Sequence, residues 1–104
     1  MSNLENLVNQ TKLATDYANN KIALREKIQN DLHFTYNSGL FKVTPELLAF
    51  VATWPTDTLY LEDTYQNPIE IERQVFLAQA QQHYQKSMNR WHQEHAELRK
   101  LRKV

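Results

Sequence analysis

The chain has 104 residues, enough for one small domain, and its 12 basic and 12 acidic residues give a formal net charge of zero. Because the charges balance, no overall field favours nucleic acid or a membrane surface as a partner. The absence of cysteine excludes disulfides and thiolate metal sites and fits a reducing compartment. The first residues lack the basic and apolar regions of a signal peptide, and no apolar run approaches the ~20 residues of a membrane span. We therefore expect a single domain, residues 1–104, with no membrane attachment.

Residues 3–31 are predicted to form a long helix, because apolar residues recur at helical spacing. They fall into two stripes that are rotated relative to each other. The first stripe holds Leu4, Leu7, Thr11, Ala14 and Ala18, and the second holds Leu13, Tyr17, Leu24 and Ile28. The pair Asn19-Asn20 lowers the helix propensity in the middle and predicts a kink or a short break.

Residues 33–43 are predicted to form a β-hairpin, because two β-favouring runs flank Asn37-Ser38-Gly39. A three-residue loop that ends in glycine is expected here, since the third position of such a loop adopts a left-handed backbone. Gly39 is the only glycine in the chain, which strengthens the prediction of a turn.

Residues 45–53 follow as a short helix, with Thr44 as its N-cap and Pro45 in its first turn. The apolar residues of this helix lie almost all round it, so we expect it to be buried at the centre of the domain. Residues 58–71 then alternate apolar and polar side chains on both sides of a turn around Tyr65, which predicts a second strand pair.

Residues 72–102 are predicted to form a second long helix, because Leu77, Tyr84, Trp91 and Leu98 are each seven apart. At ~1.5 Å per residue this helix would reach about 45 Å, more than a domain of this size needs to cover. It should therefore pack along the first helix or project towards another chain. The fold class is α+β, with long terminal helices flanking a small antiparallel sheet of two hairpins and a short buried helix.

His92 and His95, three apart on the last helix, are the candidate metal ligands. A zinc site needs a third ligand, but His83 is more than two turns away and Glu94 projects to another side of the helix. The favoured interpretation is that His95 belongs to the packing stripe beside Trp91. We therefore expect neither a metal nor any other cofactor.

The charges are separated along the chain although their sum is zero. The basic end contains Arg99, Lys100, Arg102 and Lys103, and the acidic segment 57–72 contains Glu62, Asp63 and Glu70. Cations at a helix C-terminus complement the helix dipole, which alone explains most of the basic cluster. Alternatively, the acidic hairpin receives the basic end, from its own chain or from a neighbouring subunit in head-to-tail assembly.

No combination of residues that would support catalysis is present. Glu62 and Glu70 are candidates for a carboxylate pair across the hairpin, but acids on an exposed strand face are common. No serine lies in a nucleophile motif, and the chain has no glycine-rich phosphate loop. The sequence therefore predicts a protein that is not an enzyme. Among the many aromatic residues, Tyr65 and Trp91 are the candidates for an interface patch.

The segments "FKVTPELLAFVATWPTD" and "EDTYQNPIEIERQVFLAQAQQHYQ" resemble small uncharacterised proteins of T4-like tailed phages. The resemblance covers about the middle and C-terminal two thirds of the chain and brings no activity and no functional residue. It implies a location in the host-cell cytoplasm or the virion.

Together with the missing reaction motif, the resemblance favours a structural or assembly protein that docks on protein partners. The partner is another protein or a second copy of this chain. Docking is expected through the amphipathic last helix, with Trp91 and Leu98 among the contact residues. The alternative is a small regulator that binds nucleic acid or transcription machinery through residues 99–103, although the charge balance does not favour nucleic acid. A metalloenzyme that uses His92 and His95 is the third class.

Overall fold

A computed structural model describes residues 2–102, with side chains at 4–12 and 14–100. The elements in chain order are α1 (Ser2–Asp31), β1 (His33–Tyr36), β2 (Gly39–Lys42), α2 (Pro45–Thr53), β3 (Thr58–Glu62), β4 (Pro68–Glu72) and α3 (Arg73–Arg102). The α+β class is confirmed, and the two long terminal helices flank the hairpins and the short helix as expected. The hairpins, however, form two separate two-stranded antiparallel sheets rather than one sheet.

The molecule is a rod with extents of 70 × 23 × 18 Å. At one end lies a compact body of the two hairpins and α2, against the first turns of α3. From this body α3 runs back along the C-terminal half of α1 in antiparallel orientation, with Lys27 paired to Glu94 and Asp31 to Arg90. Helix α1 is continuous through Asn19 and Asn20, so the predicted break is wrong.

The core of the body is built around Phe76, which is fully buried in the first turn of α3. Its ring lies 5.2–5.4 Å, between centroids, from the rings of Phe34, Tyr36 and Phe41 in the first hairpin. The buried cluster consists of Phe41, Val43, Val51, Leu59, Ile71, Phe76 and Ala80. The elements β2, α2, β3, β4 and α3 thus each contribute to this cluster, and Phe34 and Tyr36 of β1 pack against it, which makes the body one packing unit.

Helix α2 begins as predicted, because the Thr44 side chain accepts a hydrogen bond of 3.1 Å from the backbone N–H of Leu47. It is less buried than expected. Val51 is its one buried residue, and Phe50 is 48% exposed beside the exposed ring of Trp54. The helix therefore covers one side of the core and is not at its centre.

The turn of the first hairpin differs from the prediction. Tyr36 pairs directly with Gly39, so the loop has two residues, and the positive φ angles belong to Asn37 (48°) and Ser38 (69°). Gly39 does not have a positive φ. Glycine is required there for space, since an added Cβ would lie 2.7 Å from Cγ1 of Ile69 in the second hairpin.

Candidate partner-binding surfaces

The two stripes of α1 have different surroundings. Leu24 and Ile28, from the second stripe, are half-buried and buried, and Leu24 lies in one groove with Leu98 of α3. Leu4 and Leu7, from the first stripe, are 66% and 61% exposed. Own-chain packing therefore accounts for the Leu98 end of α3, whereas the first half of α1 extends past α3. The side chain of Leu13 lies outside the described residues.

Polar residues outside the predicted candidate sites hold α1 against α3. The ring Nε2 of His83 forms a hydrogen bond with the backbone carbonyl of Asp31. The His83 ring stacks on the ring of Phe34, with 5.7 Å between the ring centroids. The Arg90 guanidinium pairs with the Asp31 carboxylate. An acid in the last turn of a helix opposes the helix dipole, so Asp31 was the signal in the sequence that a cation should lie nearby.

Beyond the body, α3 carries a shallow groove of about 290 Å³ between Met88, Trp91, His92 and His95, the Trp91 groove. Trp91, Met88 and His95 are half-buried and His92 is exposed. This placement agrees with His95 on the packing stripe beside Trp91. Among the described side chains, no three histidine or carboxylate groups lie together as a metal site requires.

The outer face of the second hairpin is acidic. Glu70 and Glu72 line a groove of about 580 Å³ with Asp57, the acidic groove, whose other walls include Tyr36 and Asn37. The Asp57 carboxylate is also 4.0 Å from the Arg73 guanidinium. A groove lined by three carboxylates is chemically suited to a basic segment.

The carboxylate pair expected across this hairpin is not formed by directly opposite residues. The strand register sets Glu70 opposite Tyr60 and Glu62 opposite Pro68, so the prediction that Glu62 and Glu70 face each other is wrong. The two acids stand on the same exposed face as diagonal neighbours. Tyr60 and Tyr65 are 69% and 70% exposed, and Tyr65 lies in the turn as predicted.

Asp63 is buried, unlike the other acids of segment 57–72 that were expected to bind a partner. Its Oδ1 accepts hydrogen bonds from the backbone N–H groups of Asn67 and Tyr65, and its Oδ2 accepts one from Leu40. The bond from Asn67, with those from Leu40 and Tyr65, lowers the pKa of Asp63 below its ordinary value, although burial opposes the shift. Asp63 therefore joins the two hairpins and is not available at the surface.

The basic end is well separated from the acidic hairpin. Arg99 and Lys100 are exposed on α3, while the side chains of Arg102 and Lys103 lie outside the described residues. Helix α3 starts directly after β4 and runs away from it, so Lys100 is about 40 Å from Arg73 along the helix axis. Arg99 and Lys100 therefore make no ionic contact with the acidic groove of their own chain. Only the version with a neighbouring subunit remains open.

Within residues 2–102, neither long helix has an apolar stretch of the kind that crosses a bilayer. No protein-family model matches the chain, and neither a curated protein nor a solved structure matches it. The phage context therefore stays a prediction that rests on the two segments quoted above.

Proposed function

We propose that this protein is a non-enzymatic structural or assembly protein of a tailed phage, which acts by docking on a protein partner through α3. The observation that carries the proposal is the Trp91 groove, which is open to solvent on the outer part of α3. Tryptophan and methionine are enriched at the centres of protein interfaces, where a large ring supplies much of the binding energy. A groove of this size accommodates one or two apolar side chains of a partner.

The charge separation supports the same function. A partner protein or a second copy that lies along the rod contacts the Trp91 groove first. Towards the end of α3 it then meets the exposed Arg99 and Lys100, and towards the body it meets the acidic groove. Charges of opposite sign at the two places fix the direction in which a partner aligns. The carboxylates of the acidic groove and the exposed ring of Tyr60 would contribute the polar rim of such a contact.

Site-specific photocrosslinking in phage-infected cells tests the proposal. A photoreactive phenylalanine at position 92, on the edge of the groove, should give one dominant adduct with a structural protein of the particle, identified by mass spectrometry. The control places the same group at Gln79, which is exposed on the opposite side of α3 and should give no such adduct. The adduct at 92 should disappear when Trp91 is changed to alanine. Equal labelling at both positions would contradict docking through the groove.

The regulator that binds nucleic acid is the second candidate, favoured by the exposure of Arg99 and Lys100 at the end of α3. Phosphate binding should weaken steeply with salt, and truncation after Leu98 should abolish it. Fluorescence anisotropy with a labelled duplex at several salt concentrations measures both effects. A flat response at low salt would exclude this function and leave the docking proposal as it stands.

A further inference from the structure

We propose that the N-terminal half of α1 is a self-association arm, which pairs antiparallel with the same segment of a second copy of this chain. The arm is a surface other than the Trp91 groove and does not depend on the partner proposed there. It carries an exposed stripe that no other part of the same chain covers.

The arm extends past the end of α3. Leu98 shares a groove with Asn20 and Leu24, and α3 ends one turn later at Arg102. At ~1.5 Å per residue, α3 therefore ends opposite about residue 18 of α1, and the residues before it form a helix with no covering element. The described side chains from Leu4 to Asp16 are exposed.

The exposed stripe has the spacing of a coiled-coil seam. Its residues, separated alternately by four and three positions, are Leu4, Val8, Thr11, Thr15, Ala18 and Ile22. Leu4, Val8 and Ile22 are 66%, 59% and 58% exposed. An alternation of four and three keeps one face of a helix against a partner helix over several turns.

A longer α3 would not cover this stripe. On a helical wheel the stripe is rotated by roughly 170° from the side of α1 that carries Leu24 and Lys27 towards α3. The arm also contains Asn6, Asn9 and Thr11, which have low helix propensity, and a lone helix of this length is only marginally stable in water. A partner helix on the stripe supplies the missing stabilisation.

The charges beside the stripe select a second copy in antiparallel orientation. Glu5 and Lys12 are exposed on the same side of the stripe, seven residues apart. In an antiparallel pair centred between residues 9 and 10, Val8 packs on Thr11 of the second copy, and Leu4 packs on Thr15. The same alignment sets Glu5 beside Lys12 of the second copy, and the twofold axis repeats the pair. A parallel pair aligns Lys12 with Leu7 and forms neither ion pair.

The alignment also fits the length of the free arm. Residue 2 of one copy lies opposite residue 17 of the other, which stays within the part of α1 that α3 leaves uncovered. Only four apolar layers form, and threonine occupies one side of each. We therefore expect a weak dimer, with a Kd on the order of 10–100 μM.

Sedimentation velocity of the full chain from about 5 to 500 μM tests the proposal, and it should show a reversible monomer–dimer equilibrium. Val8→Glu should raise the Kd by on the order of a hundredfold, because it buries an acid in the seam. The matched control is Ile22→Glu, which has nearly the same exposure on the same stripe but lies beyond the overlap and should leave the Kd unchanged.

A charge exchange tests the orientation. Glu5→Lys and Lys12→Glu should each be monomeric, since each sets like charges together, and an equimolar mixture of the two should dimerise with both ion pairs restored. A mixture that stays monomeric overturns the antiparallel alignment.

A wild-type chain that remains monomeric at the highest concentration overturns the arm itself, even if the stripe proves to bind vesicles or another protein. Trp91→Ala should dimerise normally, and Val8→Glu should keep the crosslink at position 92. Failure of the arm and failure of the proposed function are therefore distinguishable.

Discussion

The α-carbon of Gly39 faces the side chain of Ile69, so closely that a methyl group at position 39 would lie 2.7 Å from Cγ1 and 3.1 Å from Cδ1 of Ile69. The two residues belong to different hairpins, which are separate sheets. This contact is one of the places where the hairpins meet. The hydrogen bond from Asn37 Nδ2 to the backbone carbonyl of Glu70 lies nearby and fastens the first turn to β4.

Gly39→Ala should therefore destabilise the body by about 1–3 kcal/mol, as overpacking of a close contact does. The cost should fall by about 1 kcal/mol when Ile69 is also changed to alanine, because the two Ile69 atoms that crowd the added methyl group are then absent and only Phe41 Cε2, at 3.0 Å, remains close. Urea unfolding of the four chains of this double-mutant cycle measures the coupling. An equal cost of Gly39→Ala with and without Ile69 would show that the contact with Ile69 is not what requires the glycine.

Ser38→Gly should stabilise the protein by about 0.5–1 kcal/mol. Ser38 has a φ of 69°, a left-handed conformation that costs energy for a residue with a Cβ, and Asn-Gly is the preferred pair for a two-residue hairpin loop. Part of the gain is offset because glycine has more freedom in the unfolded chain. Thermal unfolding compares this variant with Ser38→Ala, which keeps the Cβ and should show no gain. A loss of stability in Ser38→Gly would contradict this account of the turn.

Much of the fold could be predicted because its signals are local. The Thr44-Pro45 start of α2, the alternation of Leu59 and Ile71 with polar residues, and the heptad spacing on α3 each depend on neighbours in sequence. The space requirement at Gly39 depends on Ile69, thirty positions later, and no local pattern contains it. The same holds for Asp63, whose burial requires the first hairpin to be in place.

The surroundings of the candidate surfaces were harder to predict than the fold, for a physical reason. Apolar residues are the signal that marks a contact face in a sequence, but the side of α3 that meets α1 includes Arg90 and Glu94. Likewise, both stripes of α1 have helical spacing, and which one is covered depends on the side of α1 against which α3 packs, a contact with residues about seventy positions later in the sequence. The surface positions of Trp91 and Tyr65 could be predicted, because helical spacing and turn position indicate them locally, and their role in binding stays a prediction.

The Asp63 carboxylate should make stability depend on pH in the acidic range. Because its pKa is lowered on folding from the ordinary value of 3.8, the unfolded state binds the proton more readily than the folded state. The stabilisation is therefore fully present above the unfolded pKa and is lost as the pH falls through the folded pKa. Asp63→Asn, with one oxygen for three backbone N–H groups, should be less stable than the wild type at pH 7.

Denaturant midpoints of the wild type and Asp63→Asn from pH 7 to pH 2 measure this effect. The gap between the two curves should be constant above about pH 5 and close below the ordinary carboxyl pKa. Glu62→Gln changes the exposed neighbour and serves as the control, with a midpoint near that of the wild type at each pH. If the difference between the two midpoints persists unchanged at pH 2, the loss of stability in Asp63→Asn comes from the altered hydrogen-bonding shape of the side chain and not from the lost charge.

Removal of residues 1–16 should leave the body folded, because the described side chains from Leu4 to Asp16 are exposed and the buried cluster lies at the other end of the rod. At a concentration of about 5 μM, below the expected Kd, where the full chain is mainly monomeric, the free energies of unfolding of the truncated and full chains should agree within about 0.5 kcal/mol. The far-ultraviolet dichroism per molecule should fall by the share of helix removed.

At several hundred micromolar the full chain alone should gain stability through dimerisation. A large loss of stability on truncation at low concentration would mean that the arm folds back onto its own body, and Tyr17, half-buried at the border, is the residue to examine then.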